Sequence, residues 1–147
     1  MGKQPLNRMD RARARARRWA RAPIGYAKRW GGGFRQYRNE FAVCAIFREE
    51  APFLSEWITF HVGVGASHFY LYNNFSNDNF QSVLAPWIAR GMVTLTDWPV
   101  PVGQVMAYRH CLRHARGECR WLAFLDIDEF LFSPQATDIR DIFESLL

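Results

Sequence analysis

No stretch of this 147-residue chain approaches the roughly 18–20 consecutive apolar residues that a membrane-spanning helix needs. No apolar core of a secretory signal opens it, so Sec export is not expected. Cysteine is scarce and odd in number, three in all, with no Cys-x-x-Cys spacing. That excludes a disulfide framework or a paired zinc site and reads as reduced thiols in a cytoplasmic protein. No period repeats along the chain, which argues against a solenoid. Acids are nearly missing from one end. Residues 1–38 contain a single acid, Asp10, against 12 of the 19 Lys and Arg, a net of +11. The same segment has no Ser, so it fits a mitochondrial presequence poorly.

What remains is a body of opposite character. Residues 39–147 hold 7 bases and 13 acids, a net of −6, so the overall +5 describes neither part. Aromatics make up 16% of the chain, enough for a packed core of one domain. In the leader, Arg11, Arg13, Arg15, Arg17, Arg18 and Arg21 alternate mainly with Ala. Like charges at that density repel one another, and Ala buries little, so a solvated, disordered arm is expected. Its functional reading is a contact with phosphates, either nucleic acid or an anionic membrane surface, with Trp19 and Trp30 as interfacial anchors. The plain reading is a solvated tail.

The body alternates strand and helix patterns. Phe41 to Phe47 is an apolar run without alternation, as a strand buried on both faces would be. Phe53, Leu54, Trp57, Ile58, His61 and Val64 recur at helical spacing after Glu49, Glu50 and Pro52, which suit a helix start. Gly63 and Gly65 suit its end. Further strands are expected at 68–72, 92–95 and 121–125, with helices around 83–88 and 104–116, and another from Ile139 through Ile142, Phe143 and Leu146. This order predicts an α/β fold with a mostly parallel, doubly wound sheet. Ligands of such sheets bind beyond the carboxyl ends of the strands, here after Phe47, Tyr72, Leu95 and Leu125.

Asp126-Ile127-Asp128-Glu129 occupies one of those ends. In an extended segment residues i and i+2 point the same way, about 6.6 Å apart, so Asp126 and Asp128 could face one ligand. Two carboxylates there suit Mg²⁺ or Mn²⁺ with phosphate oxygens as further ligands. Two acids within three residues are also common on any surface, and it is the strand tip that gives the pair meaning. An Asp-x-Asp phosphatase of the haloacid-dehalogenase type fits poorly: only 19 residues follow Asp128, and Phe130 stands where Thr or Val is wanted. Arg48, at the end of the first strand, could contact phosphates or merely balance Glu49 and Glu50. Glu50 either opens the helix or touches the ligand. His61 reads as a structural histidine, Trp57 and Trp87 as core, and Cys44 as buried and inert.

Several blocks together resemble family 92 and related family 2-type glycosyltransferases. They are Phe47-Arg48-Glu49-Glu50 with Glu56-Trp57, His61 with Gly63 to Tyr72, Asn73-Asn74-Phe75-Ser76-Asn77-Asp78, then Gln104, Ala107, His110 and Cys111, and finally Trp121 to Phe130. The likeness runs over about residues 40–133 in order. It implies a GT-A fold whose Rossmann-type half is the part present, incomplete without an acceptor half. Transfer of a sugar from a nucleoside-diphosphate sugar to an acceptor hydroxyl would proceed with inversion. A divalent metal, Mn²⁺ or Mg²⁺, would sit at Asp126 and Asp128. Arg48, Glu50, Asn73, Asp78, Gln104, His110 and Asp126 would contact the donor. Glu49 and Asn73 depart from the family's usual Asn and Asp.

The resemblance also implies that the acceptor site and the catalytic base lie beyond residue 147 or on a partner chain. Two other classes stay open: a nucleotide-binding module without catalysis, and a protein that binds nucleic acid or rests peripherally on a membrane through its arginine leader. If residues 1–38 are a solvated arm, deleting them should leave the thermal midpoint nearly unchanged and move the isoelectric point to the acidic side. A large drop in the midpoint would show that the arm packs on the body.

Overall fold

The computed structural model describes residues 37–145. The expected arm through residue 36 and Leu146 therefore lie outside the described residues. Four strands, β1 (Asn39–Phe47), β2 (His68–Asn73), β3 (Val93–Asp97) and β4 (Cys119–Phe124), alternate with helices α1 (Ala51–Gly63), α2 (Phe80–Ala89), α3 (Gln104–Ala115) and α4 (Ile139–Glu144). All strand pairs are parallel, in the order β3-β2-β1-β4. This is the expected α/β class, a Rossmann-like half.

Burial on both faces explains why β1 reads as a continuous apolar run. Phe41, Val43, Ala45 and Phe47 pack into one layer with Leu54, Trp57 and Ile58 of α1, Leu84 of α2 and Ile139 of α4. Ala42 and Cys44 face the other layer, against Ala107, Cys111 and Ala115 of α3. These small α3 residues, spaced four apart, let that helix lie close to the sheet. The three cysteines are free thiols. A hydrogen bond with Cys111, together with burial, pushes the Cys44 thiol well above its usual range, in keeping with an inert core residue.

The start of α1 differs from the sequence expectation. Pro52 lies in its first turn, but Glu50, the capping residue by position, makes no side-chain cap. The cap comes from Asp78, 27 residues away, whose Oδ2 accepts the Ala51 N–H at 2.8 Å. Glu49 is turned into the left-handed region at φ 58°. Its N–H donates to Ser76 Oγ at 2.9 Å, and its Oε1 accepts the Asn77 N–H at 2.7 Å. The loops after β1 and β2 are thus stapled together. Asn is better accommodated than Glu in that backbone region, so Glu49 holds it through these two bonds.

Past the end of α1, Gly65 sits at φ 115°, and a Cβ there would collide with the Asp138 carboxylate. Asp138 is buried, caps α4 through the Arg140 N–H at 3.0 Å and pairs with the Arg140 guanidinium. Phe143 of α4 then lies edge-on to Phe41 (5.3 Å) and against Trp121 (5.0 Å), covering the seam between β1 and β4. Asp78→Ala should lower stability by about 1–2 kcal/mol, the usual cost of a lost helix cap. Urea denaturation of the purified chain measures it, and an unchanged midpoint would show that water replaces the cap at no cost.

Candidate functional site

Strand order fixes where a ligand can sit. From β1 the chain winds outward through β2 and β3, then returns by α3 to the opposite side of β1. Loops leaving β1 and β4 therefore diverge, and a crevice opens between them at the carboxyl edge. A cleft of about 300 Å³ lies there, lined by Ile46, Phe47, Arg48, Asn74, Val102, Gly103, Gln104 and Asp126. Three expected donor contacts, Arg48, Gln104 and Asp126, meet in it.

The Asp126–Glu129 segment is not extended. β4 ends at Phe124, and the Glu129 N–H closes a turn on the Asp126 carbonyl at 3.1 Å. The i, i+2 argument for the carboxylate pair rests on pleated strand spacing and does not hold in this turn, where Ile127 between the two acids is buried in the core. The turn is held from below by Trp57, whose indole N–H is shared between the carbonyls of Asp126 (3.1 Å) and Glu129 (2.8 Å). Glu129 Oε2 also accepts the Asp126 N–H at 3.0 Å.

The Asp126 carboxylate itself is exposed and only lightly held. Its Oδ1 accepts from Gln104 Nε2 at 3.2 Å and from the Tyr108 hydroxyl at 3.4 Å. Asp128 is exposed and outside the cleft lining. Among the described residues no three His, Cys, Asp or Glu side chains gather as a metal cluster. An ion here would rest on one or two carboxylates and take its remaining oxygens from ligand and water, which is the habit of Mg²⁺.

The other expected donor contacts, Glu50, Asn73, Asp78 and His110, are not among the residues that line the cleft. Glu50 heads α1. Asp78 serves two helix starts, since its Oδ1 also lies 3.4 Å from the Phe80 N–H. Asn73 bridges two loops, accepting the Ser76 N–H at 3.0 Å and donating to Asp97 at 3.0 Å. His110 pairs with the Tyr72 hydroxyl at 2.9 Å and lies against Trp98 at 5.1 Å. Burial first, then the nearby His114 and Arg113, lower its pKa from the ordinary histidine value.

Sequence reasoning missed the residues that shape the cleft wall. Asn74 Nδ2 holds the carbonyls of Trp98 (2.7 Å) and Val100 (2.9 Å), and the Trp98 indole donates to the Gly103 carbonyl at 3.1 Å. A Cβ on Gly103 would come within 2.7 Å of the Val100 carbonyl oxygen and 2.8 Å of the indole nitrogen, so the wall closes only over glycine. The one visible signal was the Pro99-Val100-Pro101 stretch between a strand and a helix, which marks a stiff connection.

His61 is structural, as its position on the apolar face of α1 suggested. Its Nδ1 faces the Trp57 carbonyl at 2.8 Å, and its Nε2 accepts the Leu131 N–H at 3.2 Å. One nitrogen must donate and the other accept, so the neutral ring is required.

A mixed-charge crevice at the switch point of a doubly wound sheet places the chain among α/β domains that take a ligand at the carboxyl edge. Comparison with known proteins narrows the class. Residues 39–146 match glycosyltransferase family 92. A family 92 glycosyltransferase of Oryza sativa subsp. japonica is 36% identical over 118 residues, covering 80% of this chain and 20% of that protein. One of Ricinus communis is 33% identical over 104 residues, covering 70% and 19%. A galactan beta-1,4-galactosyltransferase of Arabidopsis thaliana is 33% identical over 104 residues, covering 63% and 20%. No solved structure matches. The chain belongs to glycosyltransferase family 92, and it spans about a fifth of the length of these relatives. Among the described residues no helix is long and apolar enough to cross a membrane.

Burial lowers the His61 pKa from its ordinary 6.5 to about 4, against the opposing pull of the Trp57 carbonyl. The folded value lies below the unfolded one, so its contribution is complete above about pH 6.5 and is lost as pH falls toward about 4. His61→Gln should be less stable than wild type at pH 7.5, with the gap narrowing toward pH 4. Urea midpoints across that range test this, and a gap independent of pH would contradict the neutral-ring assignment.

Proposed function

We propose that this chain forms the donor-binding part of a GT-A-type glycosyltransferase. It takes a nucleoside-diphosphate sugar in the cleft between β1 and β4, and the sugar passes to an acceptor hydroxyl with inversion. The observation that carries this reading is the meeting of Arg48, Gln104 and Asp126 in one crevice at the switch point. Arg48, exposed at the tip of β1, offers a charged fork to phosphate oxygens. Asp126 and Asp128 would hold Mn²⁺ or Mg²⁺. Their exposed carboxylates fit a hard cation, and the bonds from Gln104 and Tyr108 to Asp126 are long enough to yield to one.

The bound ion would supply neutralisation of charge on the departing diphosphate. Gln104 and Tyr108 aim the Asp126 carboxylate, while the Trp57 indole keeps its backbone in place. The general base and the acceptor site fall to regions outside residues 37–145. The relatives named galactan beta-1,4-galactosyltransferase make a galactosyl donor and a galactan-like acceptor the first candidates.

Calorimetric titration of uridine- and guanosine-diphosphate sugars, with and without Mn²⁺, tests the reading. Asp126→Ala, in the cleft, should abolish the Mn²⁺-dependent part of binding and leave the unfolding midpoint unchanged, and Asp128→Ala should weaken that part. Equal affinity in wild type and Asp126→Ala would sink the metal assignment. A wild type that binds no donor under any condition would sink the donor site.

A further inference from the structure

Three non-glycine residues among the described residues have positive φ: Glu49 (58°), Phe75 (61°) and Val102 (51°). Each lies in a loop that leaves the carboxyl end of a strand: β1, β2 and β3. The first two have local compensation. Glu49 is bonded through both its N–H and its carboxylate, and Phe75 lies inside the turn that the Asn73 side chain closes on the Ser76 N–H.

Val102 has none. A β-branched side chain is among the worst suited to this backbone region. Its relative exposure is 102%, so the isopropyl group gains nothing from packing. Both neighbours are themselves constrained. Pro101 fixes the preceding φ. Gly103 is pinned by the Trp98 indole on its carbonyl, and the same carbonyl accepts the first turn of α3 through the Ala107 N–H at 2.9 Å. Glycine would meet the demands of this turn without strain. Folding alone therefore favours Gly at 102, and the strain together with the place of the side chain in the cleft lining points to a ligand contact.

The cleft lining offers both kinds of chemistry: Arg48 and Asp126 are charged, whereas Val102, on the wall after β3, and Ile46 and Phe47, on β1, are apolar. We propose that Val102 is an affinity-determining residue of the donor site, the apolar wall on which the flat face of the donor's nucleobase packs while the diphosphate lies toward Arg48 and Asp126. This rests on the donor-binding reading above and names the part of the ligand that Val102 touches. The bonds on the Trp98, Val100 and Gly103 carbonyls fix the backbone of this wall before the ligand arrives, so the ordering left to binding is that of one short side chain.

The test uses the full 147-residue chain, Val102→Ala and Val102→Gly, titrated with uridine diphosphate, guanosine diphosphate and inorganic pyrophosphate in the presence of Mn²⁺. Pyrophosphate carries the charge without a base. Val102→Ala keeps the backbone demand and removes most of the wall. It should weaken both nucleotides by about 3–10-fold, the scale of a partly buried isopropyl group, and leave pyrophosphate unchanged. Val102→Gly should weaken the nucleotides at least as much, and it alone should raise the thermal midpoint of the ligand-free protein.

Unchanged nucleotide affinity in Val102→Ala would overturn the proposal. So would an equal loss for pyrophosphate, which would place the effect on the phosphate end, and so would a lowered midpoint in Val102→Gly, which would remove the strain argument. Absence of nucleotide binding by wild type, with pyrophosphate still bound, would defeat the donor-site reading itself. That result is distinct from a variant that matches a binding wild type.

Discussion

One indole N–H organises the carboxyl edge of this domain. Trp57 is fully buried on α1, yet its ring nitrogen reaches past the sheet to the carbonyls of Asp126 and Glu129. Those carbonyls belong to a turn that packs Ile127 into the core and leaves its acids in solvent. Four residues along the same helix, His61 takes the Leu131 N–H. Two positions on one helix face thereby fix the course of residues 126–131. A buried polar group without its partner would cost more than the bond itself contributes, so the arrangement is held firmly. The Asp-Ile-Asp-Glu motif owes its position to α1 as much as to the strand that precedes it.

The neighbouring loops follow the same logic. Glu49 with Ser76 and Asn77, Asp78 with Ala51, Asn73 with Asp97, and Asn74 with Trp98 and Val100 tie each loop to the next. Short polar side chains replace the ladder bonds that the strands no longer supply beyond their ends. The result is a rim in which each loop is tied to the next. Its exposed charges in the cleft lining are the Arg48 guanidinium and the Asp126 carboxylate.

Much of the fold was legible because periodicity is a local property. The unbroken apolar run at Phe41–Phe47, the helical spacing from Leu54 to His61 and the glycines after α1 each placed an element within a few residues of where it lies. Alternation of the elements indicated the parallel sheet, and the rule for such sheets indicated which strand ends to inspect. That brought out Arg48 and Asp126. Non-local partners stayed hidden. The cap on α1 is Asp78 rather than Glu50, and nothing within 25 residues of Ala51 signals it. An indole on an apolar helix face, such as Trp57, reads from sequence as core and nothing more. That it is both buried and bonded to a turn about 70 residues on depends on tertiary structure alone. The extended geometry assumed for Asp126 and Asp128 failed for a related reason: the strand ends one residue before Leu125, and a turn begins where pleated spacing was assumed.

The central place of β1 has a consequence for how the chain folds. β1, β2 and β3 are joined by single helices, so their pairing closes short loops. β4 joins the opposite edge of β1, where Glu40 and Arg120, 80 residues apart, come to lie side by side. Contacts of such long sequence separation are slow to form, because chain entropy is lost before they contribute. A chain caught with only its first three strands paired would present Arg48 without Asp126, half a crevice with no opposing wall. Ligand capture in a refolding experiment would then report the arrival of the last strand, well after most of the helical signal had returned.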